Sequence, residues 1–399
     1  TTMEYRSDEA LSRADALNEY RARWTPSPRV EYVPLDQAFG RVLARDVEGQ
    51  CNLPVVRASK FDGFAMRSAD FADGMPDTSA WREGVDFAPA DTGDDFSDAF
   101  DMVVAVESTA RDEEGRFSLV PDGKFAAGPG AGVSPCGSIS RAGELIAPAH
   151  ARLTPEAVAA AAVGGYAQLP VYAKPRVAFI PTGTELVPWG AYPARGQNIE
   201  ANSLLVRGLV QEWGGEALTY PLVRDDRESV AAALERALEA ADIVVLNAGS
   251  SRGGDDFNTE LLAGRATYFR HGVKMVPGRP VGMAIIDGKP VVNAPGPVLA
   301  AWLCMDWLVR GLIAQWFGTQ AARRERARVR LAEAVEDPKD RERLVRMMLT
   351  PGDDGVPVAT PVKKLGVPQT LVGTDALFTL PADCAGVAAG ELVEVELLR

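Results

Sequence analysis

The sequence predicts a multidomain chain: a central three-layer α/β domain, a small β-rich domain ahead of it and another after it. Three observations lead there. From 174 to 322, apolar strand-like runs alternate with amphipathic helical stretches, the pattern of a sheet covered by helices on both faces. Residues 46–140 and 323–399 instead carry short β-type runs punctuated by Gly, Pro and Asp. And 399 residues exceed what a single hydrophobic core organises.

Residues 7–24 read as an amphipathic helix. Ser7 serves as N-cap, Asp8 and Glu9 fall in the favourable first turn, and Leu11, Ala14, Leu17, Tyr20 and Trp24 share one face. Within 46–140, Met102-Val103-Val104-Ala105-Val106 is the clearest strand. Thr154-Pro155-Glu156 opens a second helix, with Thr as cap and Pro at the first helical position, and Gly164-Gly165 closes it. The two helices flank the β-rich stretch and are expected to pack together with that stretch inserted between them.

From Lys174 onward the spacing predicts strand 176–181, a helix around 201–214, a strand around 217–223, and a turn at Arg224-Asp225-Asp226. Helix 227–240 and strand 242–247 follow, then strands 281–286 and 290–293 and a long, mostly buried helix 298–316. Strand alternation returns at Ala327–Leu331, Leu344–Leu349, Leu377–Leu380 and Leu392–Leu398.

The formal net charge of −13 argues against a nucleic-acid or anionic-membrane binder, while leaving room for a local basic pocket. No apolar run approaches the ~18 residues of a spanning segment. The N-terminus has no signal-like apolar core, so a cytoplasmic protein is expected. Cys51, Cys136, Cys304 and Cys384 are scattered, as idle thiols would be. With only His150 and His271, a His-rich zinc site or a Ser-His-Asp arrangement is improbable.

Five stretches carry candidate chemistry. Asp62 follows Phe61 and precedes Gly63; a solvated hairpin turn and a carboxylate over a cleft both fit it. Strand 176–181 ends in Thr182-Gly183-Thr184-Glu185, whose hydroxyls either satisfy local backbone or face a ligand. Glu185 is the sharper candidate, because ligands bind at the carboxyl ends of strands in open α/β sheets. Strand 242–247 ends in Asn247-Ala248-Gly249-Ser250-Ser251-Arg252-Gly253-Gly254-Asp255-Asp256. Its glycines permit close backbone approach, Ser250 and Ser251 can donate to an oxyanion, and the two aspartates can bind a cation or cap the next helix. Pro277-Gly278-Arg279-Pro280 offers a permanently charged fork in a stiff loop. Pro295-Gly296-Pro297 feeds the long helix, and either aims its N-terminus at an anion or caps the strand.

Taken in order, these pieces resemble the molybdenum-insertion enzymes of the MoeA family, which includes the E domain of gephyrin. Ser59-Lys60-Phe61-Asp62-Gly63-Phe64-Ala65 is similar to the family's Ser-Ala-Met-Asp-Gly-Tyr-Ala. Thr182 to Leu186 is similar to Thr-Gly-Asp-Glu-Leu, residues 247–256 to Ser-Gly-Gly-Val-Ser-x-Gly-x-x-Asp, and Pro277 to Pro280 to the end of Lys-Pro-Gly-Lys-Pro.

The resemblance implies a MogA/MoaB-like three-layer α/β domain at 174–322 that binds molybdopterin, and a linker domain of residues 1–45 with 141–173. It also implies an inserted β-domain at 46–140 and a C-terminal β-barrel at 323–399. The implied reaction places molybdenum from molybdate on molybdopterin, supplied as its adenylate and hydrolysed with Mg²⁺. Asp62, Glu185, Asp225 and Asp256 match the acidic catalytic positions, the last three as Mg²⁺ ligands. Thr182, Gly183, Gly249, Ser250, Ser251, Gly253, Pro277, Gly278, Arg279, Pro280, Pro295 and Gly296 match the pterin and oxyanion positions.

The implied partners are a second copy in a homodimer, a molybdopterin adenylyltransferase and molybdoenzyme-maturation proteins; nucleic acid and membrane are not among them. Three positions depart from the family pattern. Ile139 stands where a carboxylate is common, Val276 replaces the first lysine of Lys-Pro-Gly-Lys-Pro, and Pro297-Val298 ends the Leu-Pro-Gly-Asn-Pro turn. These departures favour, as the alternative, a weakened paralogue that carries pterin or finished cofactor; a phosphate-ester enzyme for another nucleotide conjugate is a third reading.

Overall fold

The computed structural model describes residues 5–7, 10–120, 127–247, 254–336, 339–362 and 366–398. Contacts sort the chain into two compact units, one of Val30–Tyr172 and one of Thr1–Arg29 with Ala173–Arg399.

The larger unit is organised by a sheet of β1 (Tyr5–Ser7), β2 (Arg176–Pro181), β3 (Glu216–Thr219), β4 (Ile243–Asn247), β5 (Tyr268–His271), β6 (Gly282–Ile286) and β7 (Lys289–Ala294). Its strand order is β1-β5-β6-β7-β4-β2-β3, and only β6 runs antiparallel to its neighbours. Helices cover it: α1 (Arg13–Ala22), α2 (Asn202–Glu212), α3 (Arg227–Ala240), α4 (Gly254–Arg265) and the long helix α5 (Val298–Trp316). The central strands are mostly apolar because both faces are covered; every residue of β4 is buried, including the polar Asn247 at its end. Val230, Ala233, Leu234, Ala237 and Leu238 of α3 pack on Ala178, Ile180, Val244 and Leu246. By length and apolarity α5 could cross a bilayer, yet 72% of its most apolar window is buried inside the protein, as in a core helix. A π-helical segment, Met305–Val309, interrupts it and carries Asp306, which Arg324 grips with two hydrogen bonds of 2.8 and 2.6 Å.

Five further strands close a barrel: β8 (Arg326–Leu331), β9 (Glu342–Thr350), β10 (Val358–Pro361), β11 (Ala376–Leu380) and β12 (Leu392–Leu397). Pairings run β9-β10-β8-β12-β11 and back to β9, around Val329, Leu331, Met347, Phe378 and Val395. Closure removes the open edges that a small sheet would otherwise expose.

The smaller unit has a three-stranded sheet of Gly63–Met66, Phe87–Ala90 and Met102–Ala105. Phe87 stacks on Phe117 at 4.1 Å, with Phe64 and Trp81 against the pair. The same unit holds the helix Pro155–Val163, capped by Thr154 as expected, beside the strand pair Val30–Pro34 and Gln168–Tyr172.

The first helix departs from its predicted form. It begins at Arg13, capped by the Ser12 hydroxyl, which accepts from Asp15 N at 3.1 Å. Ser7 lies instead in β1, paired with Arg270. The helix packs within the larger unit, and Pro155–Val163 belongs to the smaller one. Buried Tyr20 donates its hydroxyl to the carbonyls of Ala284 (2.8 Å) and Val291 (3.1 Å), and Trp24 stacks on Trp316. Residues up to 29 group with the α/β sheet, and 30–45 with 141–172 group in the smaller unit. An amphipathic stripe states that a helix will be buried, but not against which core.

Candidate functional site

The carboxyl edge of the sheet gathers three of the predicted loops through buried amides. Asn247 ends β4 and is 2% exposed. Its Nδ2 donates to Pro295 O (2.8 Å) and Ala294 O (3.3 Å), holding the turn ahead of α5. Its Oδ1 accepts from Asn202 Nδ2 (2.9 Å), which also donates to Gly296 O (2.8 Å). Its backbone carbonyl accepts from Thr182 N and from Thr182 Oγ1, each at 3.0 Å. Two amide side chains thus fix the ends of β4 and β7 relative to the start of α2, and the Asn247 carbonyl holds the end of β2. Just ahead of α2, buried Glu200 caps that helix, accepting from Ser203 N at 2.8 Å and from the Ser203 hydroxyl.

Thr182 is fully buried, with its hydroxyl committed to Asn247. It supports the edge from beneath, its hydroxyl turned to the Asn247 carbonyl. Gly183 permits a tight turn: a Cβ there would lie 2.8 Å from the Leu186 side chain and 3.1 Å from Glu185 Oε2. Its N–H donates to Val223 O at 3.3 Å, and Thr182 bridges Val223. Glu185 and Asp225 therefore each stand two residues beyond a backbone-paired position, and both are half-buried. Asp226 is the N-cap of α3, accepting from Ser229 N at 2.8 Å.

Gly249, Ser250, Ser251 and Gly253 lie outside the described residues, as does the Asp256 side chain. The backbone of Asp255 and Asp256 falls within the first turn of α4.

The Pro277–Pro280 loop is folded on itself. Arg279 O accepts from Val273 N (3.1 Å) and Val281 N (3.0 Å), and Gly278 takes φ +102°, a conformation that favours glycine. The Arg279 side chain is exposed. Val276 pairs with Arg343 of β9, tying this loop to the barrel. Pro295 is buried beneath the Asn247 amide, and Gly296 is partly exposed.

Asp62 belongs to the smaller unit. Exposed ahead of strand Gly63–Met66, it accepts at Oδ1 from Thr92 N (2.8 Å) and Thr92 Oγ1 (2.7 Å). The backbone donor, then the hydroxyl, hold its carboxyl below the ordinary aspartate value. Gly63 is required behind it, since a Cβ would lie 2.0 Å from Val104 O. Ile139, at the position where the resemblance expects a carboxylate, is 69% exposed.

Four residues were not singled out in the sequence. Asn202 and Asn247 form the edge network, and Thr92 holds Asp62 across 30 residues. The fourth is Arg346 on β9, which lines a cavity of about 290 Å³ with Trp213, Trp302, Arg324, Thr370 and Leu299. Burial pushes its guanidinium below the usual arginine value. The signal that could have found Arg346 is a lone cation inside the apolar run from Leu344 to Leu349.

The donor set at the edge is hard: two carboxylates on adjacent loops, with amides and carbonyls around them. Such a set fits Mg²⁺, which takes one or two protein carboxylates and fills its remaining positions with water and substrate phosphate. Among the described residues no group of three or more His, Cys, Asp or Glu is gathered as a metal-holding cluster.

Three family models match consecutive parts of the chain: the MoeA N-terminal region (domains I and II) at residues 8–165, a probable molybdopterin-binding domain at 178–315, and the MoeA C-terminal region (domain IV) at 328–398. The molybdopterin molybdenumtransferase of Synechococcus elongatus is 30% identical over 395 residues, covering 92% of this chain and 94% of that protein. Molybdopterin molybdenumtransferase 2 of Mycobacterium tuberculosis is 28% identical over 386 residues, covering 91% and 94%. The crystal structure of the MoeA protein of Pyrococcus horikoshii superposes with a TM-score of 0.83 at 26% identity, covering 98% of this chain and all of that one. The architecture is thus that of a multidomain enzyme of molybdenum-cofactor biosynthesis. The chain belongs to the MoeA family of molybdopterin molybdenumtransferases.

Proposed function

We propose that this protein inserts molybdenum into molybdopterin presented as its adenylate, and that hydrolysis of the adenylate is Mg²⁺-dependent. The observation that carries this reading is the pair of half-buried carboxylates, Glu185 and Asp225, on backbone-paired loops at the carboxyl edge of the sheet. Dithiolene sulfur and an adenylyl anhydride are already reactive, so the protein's main tasks are to hold anions and to place them. Glu185 and Asp225, joined by Asp256 of α4, would hold the cation, which would offset the negative charge of the pyrophosphate bond. Arg279 offers a fixed positive fork to molybdate. Water attacks the anhydride phosphorus, AMP leaves, and the pterin keeps its phosphate.

The direct test incubates the purified protein with adenylylated molybdopterin, molybdate and Mg²⁺. AMP release and a cofactor able to reactivate an apo-molybdoenzyme are expected. Glu185→Gln should lower the rate by about 10²–10³, the usual loss on removing one electrostatic contact to the transition state. Chelation of divalent cations should stop AMP release, and added Mg²⁺ should restore it. A protein that binds pterin but forms neither product would overturn the enzymatic reading. That result would favour a pterin carrier, for which the specific observation is Val276 at the position of the family's first lysine. The same reading makes the working species a homodimer, which light scattering would report as twice the chain mass.

A further inference from the structure

The loop between Glu185 and α2 carries the most exposed large aromatics near the edge. Tyr192 is fully exposed at 102%, and Trp189 is 59% exposed. Both stems of the loop are fastened. Leu186 and Val187 pair in parallel with Asn198 and Ile199, Asn198 N donates to Glu185 O at 2.9 Å, and Glu200 N donates to Val187 O at 2.8 Å. The span between is stiffened by Pro188 and Pro193 and by turn hydrogen bonds. Ala191 N donates to Pro188 O at 3.1 Å, Gln197 N to Ala194 O at 3.0 Å, and Ala194 N to Gln197 Oε1 at 2.8 Å.

The two stems also end in the site. The first leaves Glu185. The second passes through Glu200, the cap of α2, to Asn202, whose amide reaches Asn247 and Gly296. The loop is thus tied at both ends to the sheet's carboxyl edge, with Trp189 and Tyr192 exposed between. The edge beneath is polar, made of carboxylates, amides and carbonyls, and suits a phosphate, a cation and an oxyanion. The loop offers flat aromatic faces to a fused ring, and its fixed stems lower the ordering cost of presenting them.

We propose that Trp189 and Tyr192 form an aromatic flap that stacks on the planar ring system of the bound pterin. This rests on the function proposed above and deepens it: the carboxylates hold the phosphate end, and the flap holds the ring. Both are positioning residues. Aromatic side chains stack on heteroaromatic faces without regard to hydrogen-bond pattern, each at about fivefold or more in affinity by alanine substitution. Loss of the flap should therefore weaken ring binding and leave metal-dependent chemistry less affected.

The experiment uses the full chain and two double variants, Trp189→Ala/Tyr192→Ala and Trp189→Phe/Tyr192→Phe. Binding of a plain pterin without phosphate is followed by calorimetry, and turnover of adenylylated molybdopterin by AMP release. The alanine pair should bind pterin more weakly by about tenfold or more, with the loss in turnover concentrated in KM. The phenylalanine pair should restore both. Unchanged pterin affinity in the alanine pair would overturn the flap while a working parent protein leaves the proposed function standing. Weaker binding that tracks a change in mass by light scattering would also overturn it, assigning the loop to contact with a second copy. A parent protein that neither binds pterin nor releases AMP would remove the proposed function and the flap with it.

Discussion

Glu185 and Asp62 are carboxylates on loops held by opposite means. The Glu185 loop stands on a buried polar floor: Asn247 at 2% and Asn202 at 7% exposure, with Thr182 fully enclosed. Asp62 is held from outside, by an exposed threonine that gives it two donors. A buried amide cannot fall back on water when its partner goes, so damage beneath the edge costs stability and displaces several loops together. An exposed clasp can be opened with water taking its place, so damage there changes the charge behaviour of one group.

The sharpest way to break this contrast is Asn247→Ala. The substitution leaves Pro295 O and Asn202 Nδ2 each short of a partner in a buried setting. At about 1–3 kcal/mol for each stranded group, a loss near 3 kcal/mol is expected, read as a lower midpoint in chemical denaturation. Pterin affinity should fall as well, because the Pro295–Gly296 turn loses its side-chain anchor, while the Thr182 junction, made to the Asn247 backbone carbonyl, is kept. A fully stable variant would show that the network is not a floor at all. Asn202→Ala should cost less, about 2 kcal/mol, since Asn247 keeps its bonds to the turn and only Gly296 O and Asn247 Oδ1 lose a donor. Equal losses for the two variants would mean that the amides act as one inseparable pair.

Much of this architecture is legible in the chain. β2 and β4 announce themselves because strands buried on both faces carry near-continuous apolar runs, and each run ends in the turn that carries the site loop. Glu185 at the edge follows from the same topology, whereas Asp225 comes from the family resemblance. What could not be read is the set of contacts between segments distant in sequence. Asn202 looks like any polar residue at a helix start, and only the fold brings it to Asn247 across 45 positions. The affiliation of α1 was hidden for the same reason: Tyr20 and Trp24 mark a buried face, but the carbonyls and the ring they meet lie more than 260 residues away. Ser7 and Ser12 are equivalent as caps by composition. Pairing of residues 5–7 with 268–270 decides between them. The Pro277–Pro280 loop was legible as stiff, but not as tied to the barrel through Val276.

The smallest expected effect concerns the exposed clasp, and it tests the other side of the contrast. Asp62 is ionised at neutral pH with its carboxyl held below 3.8, first by Thr92 N and then by Thr92 Oγ1. A carboxyl depressed in the folded state adds stability above its unfolded value, and that contribution disappears as pH falls through the folded value. Thr92→Ala removes the hydroxyl and keeps the backbone donor. The Asp62 midpoint should therefore rise only part of the way toward 3.8, with folding at neutral pH little changed. Carbon-13 titration of the side-chain carboxyl, assigned by its absence in Asp62→Asn, measures this. A parent midpoint above 3.8, or no movement in the variant, would show that the Thr92 clasp does not govern this charge. The contrast with the buried floor would then rest on Asn202 and Asn247 alone.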